Sequence, residues 1–216
     1  MANVEHSTLT GASLHEPKGV AAASSGQVYV ANGAGTGVWT SISTSINPFG
    51  TQLLHVRDRV SSGTAAQTFS SGNAWNQRRL QTVATNEISG ATLTSNQISL
   101  PVGTYWIDAR SAIRIGGTGG SDGTEYRASL RLRNITAGST LVLGENVNSK
   151  QFFDGLAGLS FWYSTSIPLV GRFTLGGTTT IELQTWVNHT GIVTGGRPTT
   201  TGEDEVYTDV MIWKLS

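Results

Sequence analysis

Cysteine is absent from the 216-residue chain, which excludes disulfide bonds and thiolate chemistry. Charge is scarce too: Asp, Glu, Lys and Arg make up 13% of the residues, roughly half their usual share in soluble domains, and the formal net charge is zero. The basic surface that a nucleic-acid partner requires is therefore missing. No apolar run reaches the roughly 18 residues of a membrane span, and the polar start of the chain lacks the apolar core of a secretory signal. We expect neither a nucleic-acid partner nor membrane insertion.

Catalytic and metal-binding motifs are also missing. The chain has no phosphate-binding loop, no nucleophile elbow of the GxSxG type and no metal-ligand spacing among its four histidines. Carboxylates gather twice, at Asp122 and Glu125 and again at residues 203–205. Such groups can hydrolyse glycans or bind Ca²⁺, but solvated turns are the simpler interpretation. We therefore expect no enzymatic activity, no cofactor and no metal ion.

Thr, Ser, Gly, Val and Ile dominate the chain, and glycine-rich turns separate short apolar segments. In residues 105–115 and 126–133, apolar and polar side chains alternate, which is typical of half-buried antiparallel strands. No stretch has a convincing helical period. The pattern predicts an all-β antiparallel sandwich or barrel, with a jelly roll as the simplest arrangement that protects the sheet edges. Its strands are predicted at residues 54–60, 76–84, 96–100, 103–115, 125–135, 139–144, 158–175, 179–187 and 205–215.

Residues 1–50 differ from the remainder, because they are rich in small residues and hold few large aliphatic ones. Within them, QVYVANGAGTGVW predicts a hairpin with strands at 27–31 and 38–41, joined by residues that tolerate positive φ. The segment INPFG marks a boundary, since the residue before a proline avoids the helical region and glycine frees the chain to turn. We predict an N-terminal attachment segment at 1–50 and a jelly-roll domain at 51–216.

The last predicted strand carries apolar side chains on both faces. Tyr207, Met211 and Trp213 lie on the face opposite its aliphatic residues, and Trp106 and Trp186 are placed likewise on their own strands. A strand of a single sandwich has one core face and one solvent face, so a second apolar face indicates a partner. We predict that these five residues form a self-association interface. The alternative is that loops of the same chain cover them.

A basic face is predicted on strand 126–133. Arg127, Arg131 and Arg133 alternate with apolar residues there. Such a row can bind an acidic ligand, but a solvated face or pairing with carboxylates across the sheet is the more usual arrangement.

Taken in order, these segments resemble a known group of proteins. SLHEPKGVAAASSGQVYVANGAGTGVW resembles an N-terminal segment of many bacteriophage fibre and virion structural proteins. Further segments resemble the C-terminal module of phage tail fibre proteins, which is similar to the trimeric jelly roll of tumour necrosis factor and of complement-type globular heads. These segments are FSSGNAWNQRRLQTVATNEI, ATLTSNQISLPVGTYWIDA, RLRNITAGSTLVLG, RFTLGGTTTIELQ and EVYTDVMIWKLS.

The resemblance implies a homotrimer on the surface of a phage particle, on its tail or its head. It implies anchoring by the N-terminal part and an outward-facing jelly roll that binds the host cell surface in many relatives. In others the role is purely structural, as a head fibre or capsid decoration. Residues 40–52 leave almost no room for a shaft, so a short fibre or knob is expected.

We assign the two contacts to opposite ends of the chain. Another phage structural protein is expected to bind residues 1–45, through His15, Pro17, Tyr29 and Trp39. A host cell-surface glycan or protein is expected to bind the loops at 116–125 and 190–205. The predicted receptor-contacting residues there are Asp122, Glu125, Arg197 and Glu203.

Overall fold

The structure is a computed structural model, and it describes residues 23–31, 37–41, 52–69, 72–118, 125–150, 160–188 and 192–216. The chain divides into two compact units, Met1–Ile46 and Asn47–Ser216. The boundary predicted after residue 50 lies outside the described residues and stays a prediction.

The first unit contains a two-stranded hairpin, β1 (Gln27–Ala31) and β2 (Gly37–Ser41). This confirms the predicted hairpin, with the second strand one residue longer. Tyr29 pairs with Trp39 across it, and their rings meet edge to face with centroids 5.4 Å apart. Val30 and Val38 pair on the other face and are 47% and 59% exposed. An isolated hairpin is marginal in water, and this one leaves an apolar face uncovered.

The second unit is built from strands alone over its described residues. The strands are β3 (Gln52–Val60), β4 (Ala74–Gln77), β5 (Thr82–Asn86), β6 (Thr92–Thr94), β7 (Gln97–Leu100), β8 (Gly103–Thr118), β9 (Glu125–Asn134), β10 (Ser139–Lys150), β11 (Ser160–Leu175), β12 (Thr179–Val187), β13 (Ile192–Thr194) and β14 (Glu205–Lys214). They form two antiparallel sheets. Sheet I has the order β11-β8-β14-β3-β5, with β13 on β8, and sheet II has the order β10-β9-β12-β7-β6, with β4 on β12.

The strand order is that of a jelly roll. The chain passes repeatedly between the sheets, from β7 in sheet II to β8 in sheet I, back to β9 and β10, then to β11, β12 and β14 in turn. The last strand, β14, lies between β3 and β8 in sheet I and pairs with both. Pairing of strands remote in sequence is what distinguishes a jelly roll from a meander. The predicted antiparallel jelly-roll sandwich is confirmed.

The core lies between the two sheets, where alternate side chains of both converge. Tyr105, Ile107 and Ala109 of sheet I are buried, as are Leu130 and Leu132 of sheet II. Their sequence neighbours therefore point outward on either side of the sandwich. The outer faces are thus fixed by the same alternation that the sequence displays.

One segment predicted as a single strand crosses between the sheets. Residues 76–84 belong partly to β4 in sheet II and partly to β5 in sheet I. Arg78 lies in the crossing and is fully buried. Its Nε and Nη2 donate hydrogen bonds to Thr208 Oγ1 at 3.1 and 2.7 Å, and its guanidinium lies 5.0 Å from the Phe69 ring centroid. Burial lowers the pKa of Arg78 to about 10.

The sandwich has two distinct ends. The start of β3 pairs with the end of β14, so Gln52, where the chain enters from the first unit, lies at one end. The end of β8, where Arg114 pairs with Thr194 of β13, lies at the opposite end of the sandwich. The start of β9, where Ala128 pairs with Val187 of β12, lies there too. We call these the entry end and the distal end.

Candidate self-association face and distal end

An apolar row crosses the outer face of sheet I near the entry end. Trp213 of β14 is the direct cross-strand neighbour of Trp106 of β8 and, on its other side, of Leu53 of β3. All three side chains are half-buried in the single chain. In the next row, Met211 adjoins the tryptophan pair, and Asp108 separates Met211 from the half-exposed Val170. Trp106, Met211 and Trp213 therefore share one face, where the sequence places them.

A charged cluster borders this apolar row. Asp209 lies beside Arg57 in register, and Arg57 Nε donates to Asp209 Oδ1 at 2.9 Å. His55 Nε2 lies 2.5 Å from the same oxygen. Burial raises the pKa of Asp209, but the hydrogen bonds from Arg57 and His55 outweigh burial and hold that pKa below its ordinary value. Sequence reasoning missed this cluster, because its members lie on strands remote in sequence.

Tyr207 does not belong to this face. A register shift between Val206 and Thr208 interrupts the pairing of β14 with β3. Such a bulge reverses the alternation of the strand, so Val206 is 44% exposed and Tyr207 only 5%. The Tyr207 hydroxyl donates to the Thr64 carbonyl oxygen at 2.8 Å. The assignment of Tyr207 to the interface assumed an unbroken period of two. The structure corrects this assignment, because the side chain is buried and bonds the 61–67 segment of its own chain.

Trp186 lies on the other side of the sandwich. It belongs to β12 in sheet II, where it is the cross-strand neighbour of Trp75 and Ser129. Its outward direction was predicted, but alternation alone does not say which sheet a strand joins. Trp186 and the Trp106–Trp213 pair therefore lie on opposite faces of the sandwich, and a role of Trp186 in self-association stays a prediction.

The predicted receptor-contacting residues fall into two groups. Asp122 lies outside the described residues. Glu125 is exposed at the start of β9 and pairs with Arg127. Arg197 and Glu203 are exposed in the segment between β13 and β14. The three described residues all lie at the distal end, and their role in binding stays a prediction.

A groove of about 400 Å³ lies at the distal end on the sheet I side. Arg197 and Thr199 form one wall, and Ser164 and Ser166 of β11 form another. Arg114 is held close enough to Arg197 that burial and this second positive charge lower its pKa. The groove thus combines hydroxyl groups with the guanidinium of Arg197 and the carboxylate of Glu205, both of which line it.

Glu205 fixes the wall of this groove. Burial raises its pKa, but hydrogen bonds outweigh burial and bring that pKa below its ordinary value. Its Oε1 accepts from the backbone N–H groups of Thr199, Thr200 and Gly63 at 2.9, 3.0 and 3.3 Å. Asp204 instead pairs with Arg59 at 2.8 Å. Asp204 and Glu205 are therefore engaged by different partners.

Of the four predicted attachment residues, the structure describes two. His15 and Pro17 lie outside the described residues. Tyr29 and Trp39 pack against each other within the hairpin, so they shape it, and the exposed valines of its other face offer the larger apolar surface.

Within the described residues, no three His, Asp or Glu side chains gather in a way that would hold a metal ion. No helix in the described part of the chain is long and apolar enough to span a membrane.

Comparisons with known proteins bear on the strand arrangement only. No protein-family model and no curated protein matches the chain. Among solved structures, it is similar to murine APRIL at pH 5.0, with 9% identity and a TM-score of 0.41 over 75% of this chain and 98% of that one. It is also similar to Eiger TNF from S. frugiperda, with 10% identity and a TM-score of 0.43 over 76% and 92%. The jelly-roll assignment rests on the strand order and register given above.

Proposed function

We propose that this protein is a short trimeric fibre or knob of a bacteriophage particle, anchored by its N-terminal unit and binding the host cell surface with its jelly roll. The phage assignment and the threefold symmetry come from the sequence resemblance. The observation that supports the proposal most is the Trp106–Trp213 row, since half-exposed aromatic side chains on a flat sheet are typical of protein interfaces.

The composition of the sheet I outer face supports burial between copies. Its apolar residues are contiguous from β3 through β14 to β8, as Leu53, Trp213 and Trp106. Among the charges that border them, Arg57 is already paired with Asp209 within the chain. Paired charges cost less to bury than free ones. Three copies that meet through this face would cover the tryptophans and leave sheet II outside.

The two ends of the sandwich support a division of labour. The chain enters at Gln52 on the entry end, whereas Arg197 and Glu203 lie at the distal end. We therefore assign the receptor contacts to the distal end. Individually weak contacts there would be multiplied by three copies in each trimer and by many trimers on each particle.

The binding function is tested with the purified full chain on host cells. The proposal predicts that fluorescently labelled protein binds the cells and competes with infection by the intact phage. If the protein neither binds cells nor blocks infection, the binding function is wrong, and a head-fibre or decoration role replaces it.

The anchoring function is tested in the particle. Val38→Asp places a charge on the exposed face of the hairpin and should lower incorporation of the protein into virions. Leu143→Asp is the matched control, since Leu143 is also an exposed apolar strand residue, on sheet II. Equal incorporation of both variants would contradict anchoring through the hairpin face. Labelling the N-terminus in particles that incorporate the wild-type protein distinguishes tail from head.

A further inference from the structure

The outer face of sheet II carries a second tryptophan pair. Trp75 of β4 is the cross-strand neighbour of Trp186 of β12. The Arg131 guanidinium lies 4.1 Å from the Trp75 ring centroid, and its Nε donates to Gln184 Oε1 at 2.7 Å. Cation–π stacking therefore occupies a face of Trp75. The half-buried Trp186 lies next to Trp75 and lines a groove.

This groove has a volume of about 380 Å³ and runs between β9, β10 and Trp186. A register shift between Leu143 and Asn146 bulges β10 beside it, and a bulge re-aims the side chains that follow. The bulge contains Gly144, where an added Cβ would lie 2.6 Å from the Pro168 carbonyl oxygen. The groove is lined by Arg127, Ala128, Asn146, Val147, Asn148 and Trp186.

The lining pairs one flat apolar surface with several amide groups. The Trp186 indole supplies the apolar surface. Asn146 and Asn148 are both exposed, and each amide carries two donors and an acceptor. Ser129 lies in register between Trp186 and Asn146, and its buried Oγ has no hydrogen-bond partner. A hydrogen-bonding group that the chain leaves unused, which is rare for a buried hydroxyl, therefore lies between two of the lining residues.

The charge of the groove is balanced. Arg127 is its charged lining residue, and its Nε donates to Glu125 Oε2 at 3.1 Å. An anionic ligand would have to compete with this carboxylate. A neutral ligand with one apolar face and a rim of hydroxyl groups matches the lining better, and a pyranose ring has this form.

We propose that this groove is a saccharide site, in which Trp186 stacks on the apolar face of a neutral pyranose and Asn146 and Asn148 bond its hydroxyl groups. This deepens the proposed function, on which its biological role rests: a host glycan would be bound along the side of the knob as well as at its distal end. In the proposed trimer, the site lies on the sheet opposite the interface.

The site is tested on the full chain by saturation-transfer difference NMR. The probes are the methyl glycosides of glucose, galactose, mannose, rhamnose and N-acetylglucosamine. We expect saturation at ring C–H protons of at least one glycoside. Its affinity should fall at least tenfold in the Asn146→Ala/Asn148→Ala double variant and in Trp186→Phe. Leu143→Ala is the control, because Leu143 is exposed on the same strand outside the groove. Asn146 and Asn148 are exposed, so the double variant should fold normally. It therefore tests the site even if Trp186→Phe disturbs folding.

Two results would overturn the site: binding of none of the glycosides, or binding that both groove variants retain. The host-cell assay separates this failure from that of the proposed function. Cell binding that persists in the double variant, with no glycoside bound, rejects the groove alone. Glycoside binding without any cell binding supports the groove and rejects the host-attachment function.

Discussion

Trp213 lies directly opposite Trp106 on the outer face of β14 and β8. In the single chain, both indoles are half-buried on a sheet whose other face is already the core. Sheet I thus carries an apolar row on its outer face as well, although a sandwich uses only the inner face for its core. This relationship is the physical basis for proposing that copies of the chain assemble through sheet I.

A charge in the middle of that surface should prevent assembly. Met211→Glu would bury an unpaired carboxylate between copies, next to Asp108 in register, and both desolvation and like-charge repulsion oppose this. We expect at least a tenfold weaker association with an unchanged circular dichroism spectrum, measured by sedimentation velocity. Leu143→Glu, on the exposed side of sheet II, should associate like the wild type; equal behaviour of the two variants would reject the assigned face.

Gly195 should be intolerant of a side chain for steric reasons. A Cβ there would lie 2.7 Å from both Nη1 and Nη2 of Arg78, which is fully buried and held by Thr208, so it cannot move aside. Gly195→Ala should lower the free energy of unfolding by about 1–3 kcal/mol. Denaturant titration at one fixed protein concentration measures this. Gly176→Ala, which meets no atom within 4 Å, should change it by less than about 0.5 kcal/mol.

The buried Asp58 depends on Arg79. Arg79 Nε donates to Asp58 Oδ1 at 2.7 Å, and Asp58 is fully buried. Arg79→Ala leaves this carboxylate without its cation and should cost about 3 kcal/mol of unfolding free energy. Arg59→Ala removes the exposed pair with Asp204 and should cost less than about 1 kcal/mol. Similar losses in chemical denaturation would show that burial does not distinguish the two pairs.

Glu205 should contribute to loss of stability in acid. Its pKa in the folded protein is lowered below the ordinary 4.5. Its stabilising contribution is therefore fully present above that value and is lost as the pH falls through the folded pKa. Glu205→Gln should be less stable than the wild type at pH 6, and the difference should shrink as the pH falls toward the folded pKa. Glu203→Gln is the control, since Glu203 is exposed in the same segment. A Glu205→Gln deficit that is constant with pH would contradict the linkage.

The fold was largely predictable because alternation is a local property. Residues 105–115 and 126–133 show which side chains face the core, and β8 and β9 confirm it. Which aromatic side chains share an outer face was predictable only in part. The Val206–Tyr207 bulge changes the alternation without a sequence signal, and the membership of Trp186 in sheet II follows from strand pairing over long range. Arg78 was missed because residues 76–84 were predicted as one strand, on which an arginine normally faces solvent.

The distal end illustrates the same limit. Its segments were predicted as loops from their glycine content, but Glu205 shapes the groove beside Arg197 by accepting hydrogen bonds from Thr199 in its own segment and from Gly63, which is remote in sequence. Nothing in the local sequence distinguishes this buried carboxylate from the exposed Glu203 two residues before it.

Sedimentation equilibrium of the wild-type chain over a range of concentrations tests the central claim most directly. The account predicts one dominant species with three times the chain mass of 22.8 kDa, and its conversion to single chains by Met211→Glu. A single-chain mass at every concentration, or an assembly that Met211→Glu leaves intact, would contradict it.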